Sequence, residues 1–305
     1  MESLVQIGYF HPALQQRIAS EFRCHSADEV WADASLRMGI KGILTRSNYA
    51  VPSALVDALP DLKVIATSGV GYDGIPVRRA RERGVVVTHT PHLLDAAVSE
   101  LAVGLLLSLL REIGPADAHV RHGRWGAENY RLTTSLAGKR VGIVGLGRIG
   151  KGIAERLAPF GVTLAYAGRP QQGTACTHFP DPLTMAPHVD VMVISCKGGP
   201  DTHHLIDRRV LQALGAGYLV NVSRGTVVDE AALCESLTHG ALRGAALDVF
   251  EHEPLAQSPL MALPNVVLSP HAGSATHETR EAMLRLTLDN LHAVIAGRAA
   301  LTPVP

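Results

Sequence analysis

Short apolar runs alternate along the chain with stretches in which apolar residues recur every three or four positions. The short runs LVQIGYF, GILTR, KVIATSG and VVVTHT read as strands. Between them, PALQQRIASEF, PSALVDALP and PVRRARERG carry helical spacing. Strand, helix and strand in this order predict a parallel sheet. A second series begins at Lys139 with RVGIVG, VTLAYAG, VMVISC, YLVNVS, GAALDVF and NVVLSP, again with helical segments between. The chain is therefore expected to form two α/β units. The long helical pattern ATHETREAMLRLTLDNLHAVIAG, from Ala275, is placed to return to the first unit. The tail RAALTPVP is a poor helix former and reads as a surface end.

ELAVGLLLSLLREI, from Glu100, is apolar nearly all round. Its apolar part falls short of the roughly 20 residues a bilayer requires, and Arg111 with Glu112 closes it. The pattern predicts a helix buried on all sides, in the core or against a second subunit, and a homodimer contact is expected there. The 305 residues are 47% hydrophobic, with 28 basic and 28 acidic side chains, which gives no electrostatic case for nucleic acid or an anionic membrane. MESLVQIGYF has no basic segment before a long apolar core, so no secretory signal is read and the cytoplasm is expected. Cys24, Cys176, Cys196 and Cys234 form no C-x-x-C pair and are expected to be plain buried thiols. His203 with His204, and His119 with His122, lack a carboxylate or thiol nearby to complete a set, so no metal is predicted.

The candidate chemistry starts at KRVGIVGLGRIG, residues 139–150. Gly145, Gly147 and Gly150 follow an apolar run and lead into a helix, the G-x-G-x-x-G spacing in a strand-to-helix setting. The first glycine takes the tight turn, the second admits a pyrophosphate and the third lets helix and strand pack closely. Backbone N–H groups of Arg148 and Ile149, at the helix N-terminus, would face the phosphates. An NAD site places an acid about 20 residues further on. Here Gly168 and Arg169 stand in that place, and a guanidinium suits a 2′-phosphate, so NADP(H) is expected in preference to NAD(H). The alternative for Arg169 is an ordinary exposed turn residue.

SGVGYDGI, AGKRVGIVGLGRIG, CKGGPDTHHLI, NVSRGTVVDEAAL, ALDVFEHEPL and LSPHAGSAT follow one another in an order that resembles the D-isomer-specific 2-hydroxyacid dehydrogenases, in their glyoxylate/hydroxypyruvate reductase branch. The resemblance spans almost the whole chain. It implies two doubly wound parallel-sheet domains, a Rossmann cofactor domain (99–273) inserted in a flavodoxin-like substrate domain (1–98 and 274–305), with the active site in the cleft between them. It also implies roles. His271 matches the acid/base, Glu253 the carboxylate that orients it, and Arg224 the arginine that binds the substrate carboxylate and carbonyl oxygen. Val70 and Gly71 match the loop whose N–H groups receive the carboxylate, and Asp248 the acceptor for the nicotinamide carboxamide; Val222 and Gly273 are further implied cofactor contacts.

Two positions depart from the family pattern. Asp95 stands where many relatives carry threonine near the cofactor, and an acid beside phosphates is costly unless it points away. Lys197 stands where many relatives of this branch have proline, and it is a candidate cation for the adenosine end. The expected activity is NADPH-dependent reduction of small 2-keto acids such as glyoxylate and hydroxypyruvate to D-2-hydroxy acids, with no metal. Two alternatives stand beside it. One is a reductase of larger or sugar-derived 2-keto acids, with Asn48, Tyr49 and Tyr72 at the pocket edge. The other is a dinucleotide-sensing binding protein like the C-terminal-binding-protein corepressors, whose charged extensions are not seen in this chain. The chain ends soon after its last helical pattern, which disfavours the phosphoglycerate dehydrogenases that carry an added regulatory domain.

Overall fold

The computed structural model describes residues 1–305, which fall into two compact units, Met1–Leu94 with Ala275–Pro305, and Asp95–Ser274. The first unit runs β1 (Glu2–Gln6), α1 (Pro12–Glu21), β2 (Phe22–Ser26), α2 (Ala27–Ala32), β3 (Ile40–Arg46), α3 (Ser53–Ala58), β4 (Val64–Ser68), α4 (Val77–Glu82) and β5 (Val86–Thr88). Its five strands are parallel in the order β2-β1-β3-β4-β5. The order reverses between β1 and β3, so a crevice opens at the carboxyl ends of those strands, the usual ligand position in such sheets.

The second unit runs α5 (Asp95–Arg111), α6 (Ile113–Arg121), β6 (Arg140–Val144), α7 (Arg148–Leu157), β7 (Thr163–Ala167), β8 (Thr177–Phe179), α8 (Pro182–Met185), β9 (Val191–Ile194), α9 (Arg208–Leu214), β10 (Tyr218–Asn221), α10 (Glu230–Thr238), β11 (Gly244–Leu247) and β12 (Val266–Leu268). Seven parallel strands lie in the order β12-β11-β10-β9-β6-β7-β8, reversing between β6 and β9. Strands β9 and β11 are buried at every residue, which explains why they read as unbroken apolar runs. Met185, Leu211, Leu214 and Leu233 cover one face of this sheet. Each such side chain contributes about 1.5–3 kcal/mol by leaving water.

The last helix, α11 (His277–Ile295), packs in the first unit, where Leu284, Leu288 and Leu291 join Leu4, Phe10, Ile18 and Leu44 in one core.

The structure departs from the sequence expectations at several places. The helical spacing runs to Phe22, but α1 stops at Glu21 and Phe22 turns extended to open β2, an edge strand with only Phe22 buried and too polar to signal itself. β8 is likewise a three-residue edge strand that composition does not announce. The tail is non-helical and mostly exposed, as expected, but it is tied down: Val304 donates to the Val87 carbonyl (2.9 Å), His89 donates to that of Thr302 (3.1 Å), and Val304 is buried. Helix α5 buries Ala102, Leu105, Leu106, Leu109 and Leu110, yet leaves Leu101, Val103 and Leu107 only half-buried and Gly104 exposed. The four cysteines are unpaired and half-buried rather than buried. No helix is long and apolar enough to cross a membrane.

Candidate active site

The glycine turn follows β6, whose last residue Val144 is buried, and lies at the sheet's reversal point. Gly145 bends at φ +89° and donates its N–H to the Ala167 carbonyl (2.9 Å), tying the turn to β7. A Cβ on Gly150 would lie 2.2 Å from the Gly145 carbonyl oxygen, so only glycine lets α7 start this close to the strand. A Cβ on Gly147 would meet nothing within 4 Å, which leaves open space over the helix start. The first N–H groups of α7, on Arg148, Ile149 and Gly150, have no partner within the helix. An open cradle, free donors and the positive end of a helix dipole fit a dinucleotide pyrophosphate. Gly168 and the exposed Arg169 follow β7 directly, with no carboxylate at that strand end.

His271 sits in the turn after β12. Its Nδ1 lies 2.7 Å from Glu253 Oε2, and both side chains are about four-fifths buried, at 22% and 19% exposure. A carboxylate only accepts, so Nδ1 donates, and Nε2 is the ring nitrogen that Glu253 does not engage. Glu253 also takes the Phe250 N–H on Oε1 (3.2 Å), which fixes its carboxylate plane. The backbone of His271 is held at φ +52°, a region few non-glycine residues adopt. Buried Asp248 accounts for it: it accepts from Ser269 Oγ (2.6 Å), Ala272 N (2.7 Å) and Gly273 N (2.9 Å), while its carbonyl takes the His271 N–H (2.9 Å). Asp248 therefore staples the turn that presents the imidazole. A Cβ on Gly273 would come within 3.1 Å of Asp248 Oδ2, so the turn is tight on both sides.

Arg224 leaves the turn after β10. Buried Asn221 braces that turn, accepting from Ser223 N (3.0 Å) and donating to the Arg224 carbonyl (3.0 Å); Val222 is buried, and its N–H reaches the Ile194 carbonyl (3.2 Å). Gly225 packs against the Phe250–Glu251 backbone with no room for a Cβ. The turns bearing Arg224 and Glu253 are thus in contact, and the Arg224 guanidinium folds back to donate to the Ser223 carbonyl (2.8 Å). The sequence motifs contained Asn221 and Ser269, but nothing local marked them as braces. His204 pairs with Glu251, and no group of three or more His, Cys, Asp or Glu is arranged to hold a metal.

In the first unit, Val70 and Gly71 follow β4 at the carboxyl edge of its sheet. The Val70 carbonyl contacts His89 Nδ1 (3.0 Å), and the Tyr72 ring meets the His89 ring edge-on at 5.6 Å. Tyr49 lies over Gly8, where a Cβ would come within 2.4 Å of its ring.

Asp95, suspect beside phosphates, is paired: its Oδ2 accepts from Arg148 Nε at 3.0 Å. Lys197 is exposed on the loop after β9, and its carbonyl accepts from Thr202 Oγ1 (2.8 Å).

Residues 103–273 match the model of the D-isomer specific 2-hydroxyacid dehydrogenase family, NAD binding domain. The chain belongs to that family. It is 43% identical to a hydroxyphenylpyruvate reductase of Plectranthus scutellarioides, over 87% of this chain and 85% of the relative. It is 41% identical to a 2-ketogluconate reductase of Gluconobacter oxydans, over 96% and 95%. The crystal structure of an NADPH-dependent glyoxylate/hydroxypyruvate reductase from Sinorhizobium meliloti, in complex with NADP and malonate, superposes with a TM-score of 0.91 at 42% identity, covering 99% and 96% of the two chains. The chain is an oxidoreductase of the glyoxylate/hydroxypyruvate reductase branch, built on two parallel-sheet α/β domains and using a nicotinamide cofactor.

Proposed function

We propose that the protein is an NADPH-dependent reductase of small 2-keto acids, glyoxylate and hydroxypyruvate, giving D-2-hydroxy acids. The observation that carries the chemistry is the 2.7 Å contact between His271 Nδ1 and Glu253 Oε2, which engages one ring nitrogen and leaves the other, Nε2, for proton exchange with a substrate. A bound nicotinamide supplies the hydride. Arg224 holds the keto acid by its planar fork and stabilises the charge that develops on the carbonyl oxygen. His271, as the imidazolium, delivers its Nε2 proton to that oxygen, and Glu253 holds the ring through Nδ1 before and after the transfer. Val70 and Gly71 are assigned to the substrate carboxylate through their backbone N–H groups. Asp248, with one hydrogen bond on Oδ2, retains an acceptor site for a carboxamide donor.

The NADPH preference is supported by Arg169, which stands at the end of β7 in the place of an acid. The S. meliloti reductase, named as NADPH-dependent, supports the same reading. We also assign a homodimer: the half-exposed side of α5 (Leu101, Val103, Leu107) adjoins in sequence a segment with exposed Ile113, Val120, Trp125 and Leu132. Light scattering on the purified chain should return twice the monomer mass.

The deciding experiment is initial-rate oxidation of NADPH and NADH with glyoxylate, hydroxypyruvate, 2-ketogluconate and hydroxyphenylpyruvate. The expected result is turnover with NADPH preferred and the two small acids favoured. Preference for a larger acid would replace the substrate assignment. No turnover despite dinucleotide binding would transfer the protein to the sensing class.

A further inference from the structure

The turn that presents Arg169 is clamped on both sides, and one clamp comes from a residue that no motif includes. His178, on edge strand β8, places its Nε2 2.8 Å from the Gly168 carbonyl oxygen. A carbonyl only accepts, so Nε2 carries the proton and donates. The Gly168 N–H donates to the Phe179 carbonyl at 3.3 Å. On the far side of Arg169 and Pro170, the Gln171 N–H donates to the hydroxyl of buried Tyr166 at 2.9 Å. Tyr166 and His178 pair across β7 and β8 in parallel register, and their rings lie 4.9 Å apart. Gly168 itself adopts φ +131°, a conformation that side chains rarely share, so the turn depends on these partners for its shape.

We propose that His178 is a second determinant of cofactor choice, a positioning residue that acts through Arg169: by holding the Gly168 carbonyl it fixes the turn in the shape that presents the guanidinium to a 2′-phosphate. A turn held in advance loses less freedom when the dianion binds. A cofactor without that phosphate does not draw on Arg169, so the effect of His178 falls on NADPH and spares NADH. This inference rests on the proposed NADPH preference. It concerns binding, so it is readable without turnover.

The test is titration of NADPH, NADH, 2′,5′-ADP and 5′-ADP against the full-length protein and the variants His178→Ala, His178→Gln, Arg169→Ala and the double alanine variant. His178→Ala should weaken NADPH and 2′,5′-ADP about fivefold, the worth of one ordinary hydrogen bond, and leave NADH and 5′-ADP within about twofold. His178→Gln, whose amide reaches as far as Nε2, should restore most of the loss. In the Arg169→Ala background, removing His178 should cost nothing further, because the two act on the same phosphate. Equal losses for NADPH and NADH would reduce His178 to support of the fold. A glutamine variant no better than alanine would overturn the hydrogen-bond account. If the unaltered protein and Arg169→Ala alike fail to distinguish the two cofactors, the NADPH reading itself falls. If Arg169→Ala abolishes a real preference and His178→Ala does not touch it, only the role of His178 falls.

Discussion

Asp95 accepts a hydrogen bond from Arg148 Nε at 3.0 Å, so an acid at the start of α5 occupies the arginine that opens α7. The pair is partly exposed, at 51% for the arginine and 21% for the acid. Replacing Asp95 with threonine frees that guanidinium at the end of the cradle where the pyrophosphate is expected. Asp95→Thr should tighten NADPH and NADH by the same factor, about threefold in dilute buffer, with the gain disappearing near about 0.5 M salt. Fluorescence titration at two salt concentrations checks this. Weaker binding instead would mean that Arg148 serves only when Asp95 holds it.

The glycine turn offers a paired comparison. Gly147 faces open space at φ −76°, and serine suits a helix N-cap, so Gly147→Ser should melt within about 1 °C of the unaltered protein. Its side chain nevertheless enters the cradle, and both dinucleotides should bind at least about tenfold more weakly. Gly150→Ala drives a methyl onto the Gly145 carbonyl oxygen, so it should lower the melting temperature by about 5 °C or more. Scanning calorimetry beside titration separates the two effects.

The dyad predicts a split between binding and turnover. His271→Ala should lower kcat by about 10²- to 10⁴-fold, the range of a positioned general acid, with dinucleotide Kd within about twofold. Glu253→Gln keeps an acceptor oxygen, so kcat should fall less, by about 10- to 100-fold. Steady-state rates under saturating cofactor check both, and an alanine variant that turns over at the unaltered rate would remove His271 from the chemistry.

Arg140, the first residue of β6, pairs with Asp190, the residue before β9, and this ion pair makes stability depend on acid. The Arg140 guanidinium, which hydrogen-bonds Asp190 at 2.7 Å, holds that carboxyl below its ordinary value of 3.8. A carboxyl so lowered stabilises the fold above its unfolded value and loses that contribution as pH falls through the folded one. The pair is between one-third and one-half exposed, so solvent screening limits its worth to about 0.5–1 kcal/mol. Asp190→Asn should therefore lower the urea midpoint at pH 7. Its difference from the unaltered protein should shrink progressively below about pH 4.

The parallel sheets were legible because strands covered on both faces, such as β9 and β11, must be continuously apolar. The glycine turn and the HAG and EHEP segments were legible because each is a local pattern. What escaped depends on contacts made at a distance. Nothing near residue 248 indicates that its carboxylate will gather three donors from residues 269–273, and nothing near residue 178 that its imidazole will reach back to Gly168. The edge strands β2 and β8 escaped for another reason: with one face or none to bury, they need few apolar residues.

The first unit is assembled from both ends of the chain. Leu4 and Leu44 share their core with Leu284, Leu288 and Leu291, and β5 is bordered by residues 302–304. On the ribosome the intervening 180 residues, Asp95–Ser274, have their full set of strands before that core can close. The unit begun first is therefore finished last, and the sheet face that the final helix covers stays open until that helix emerges.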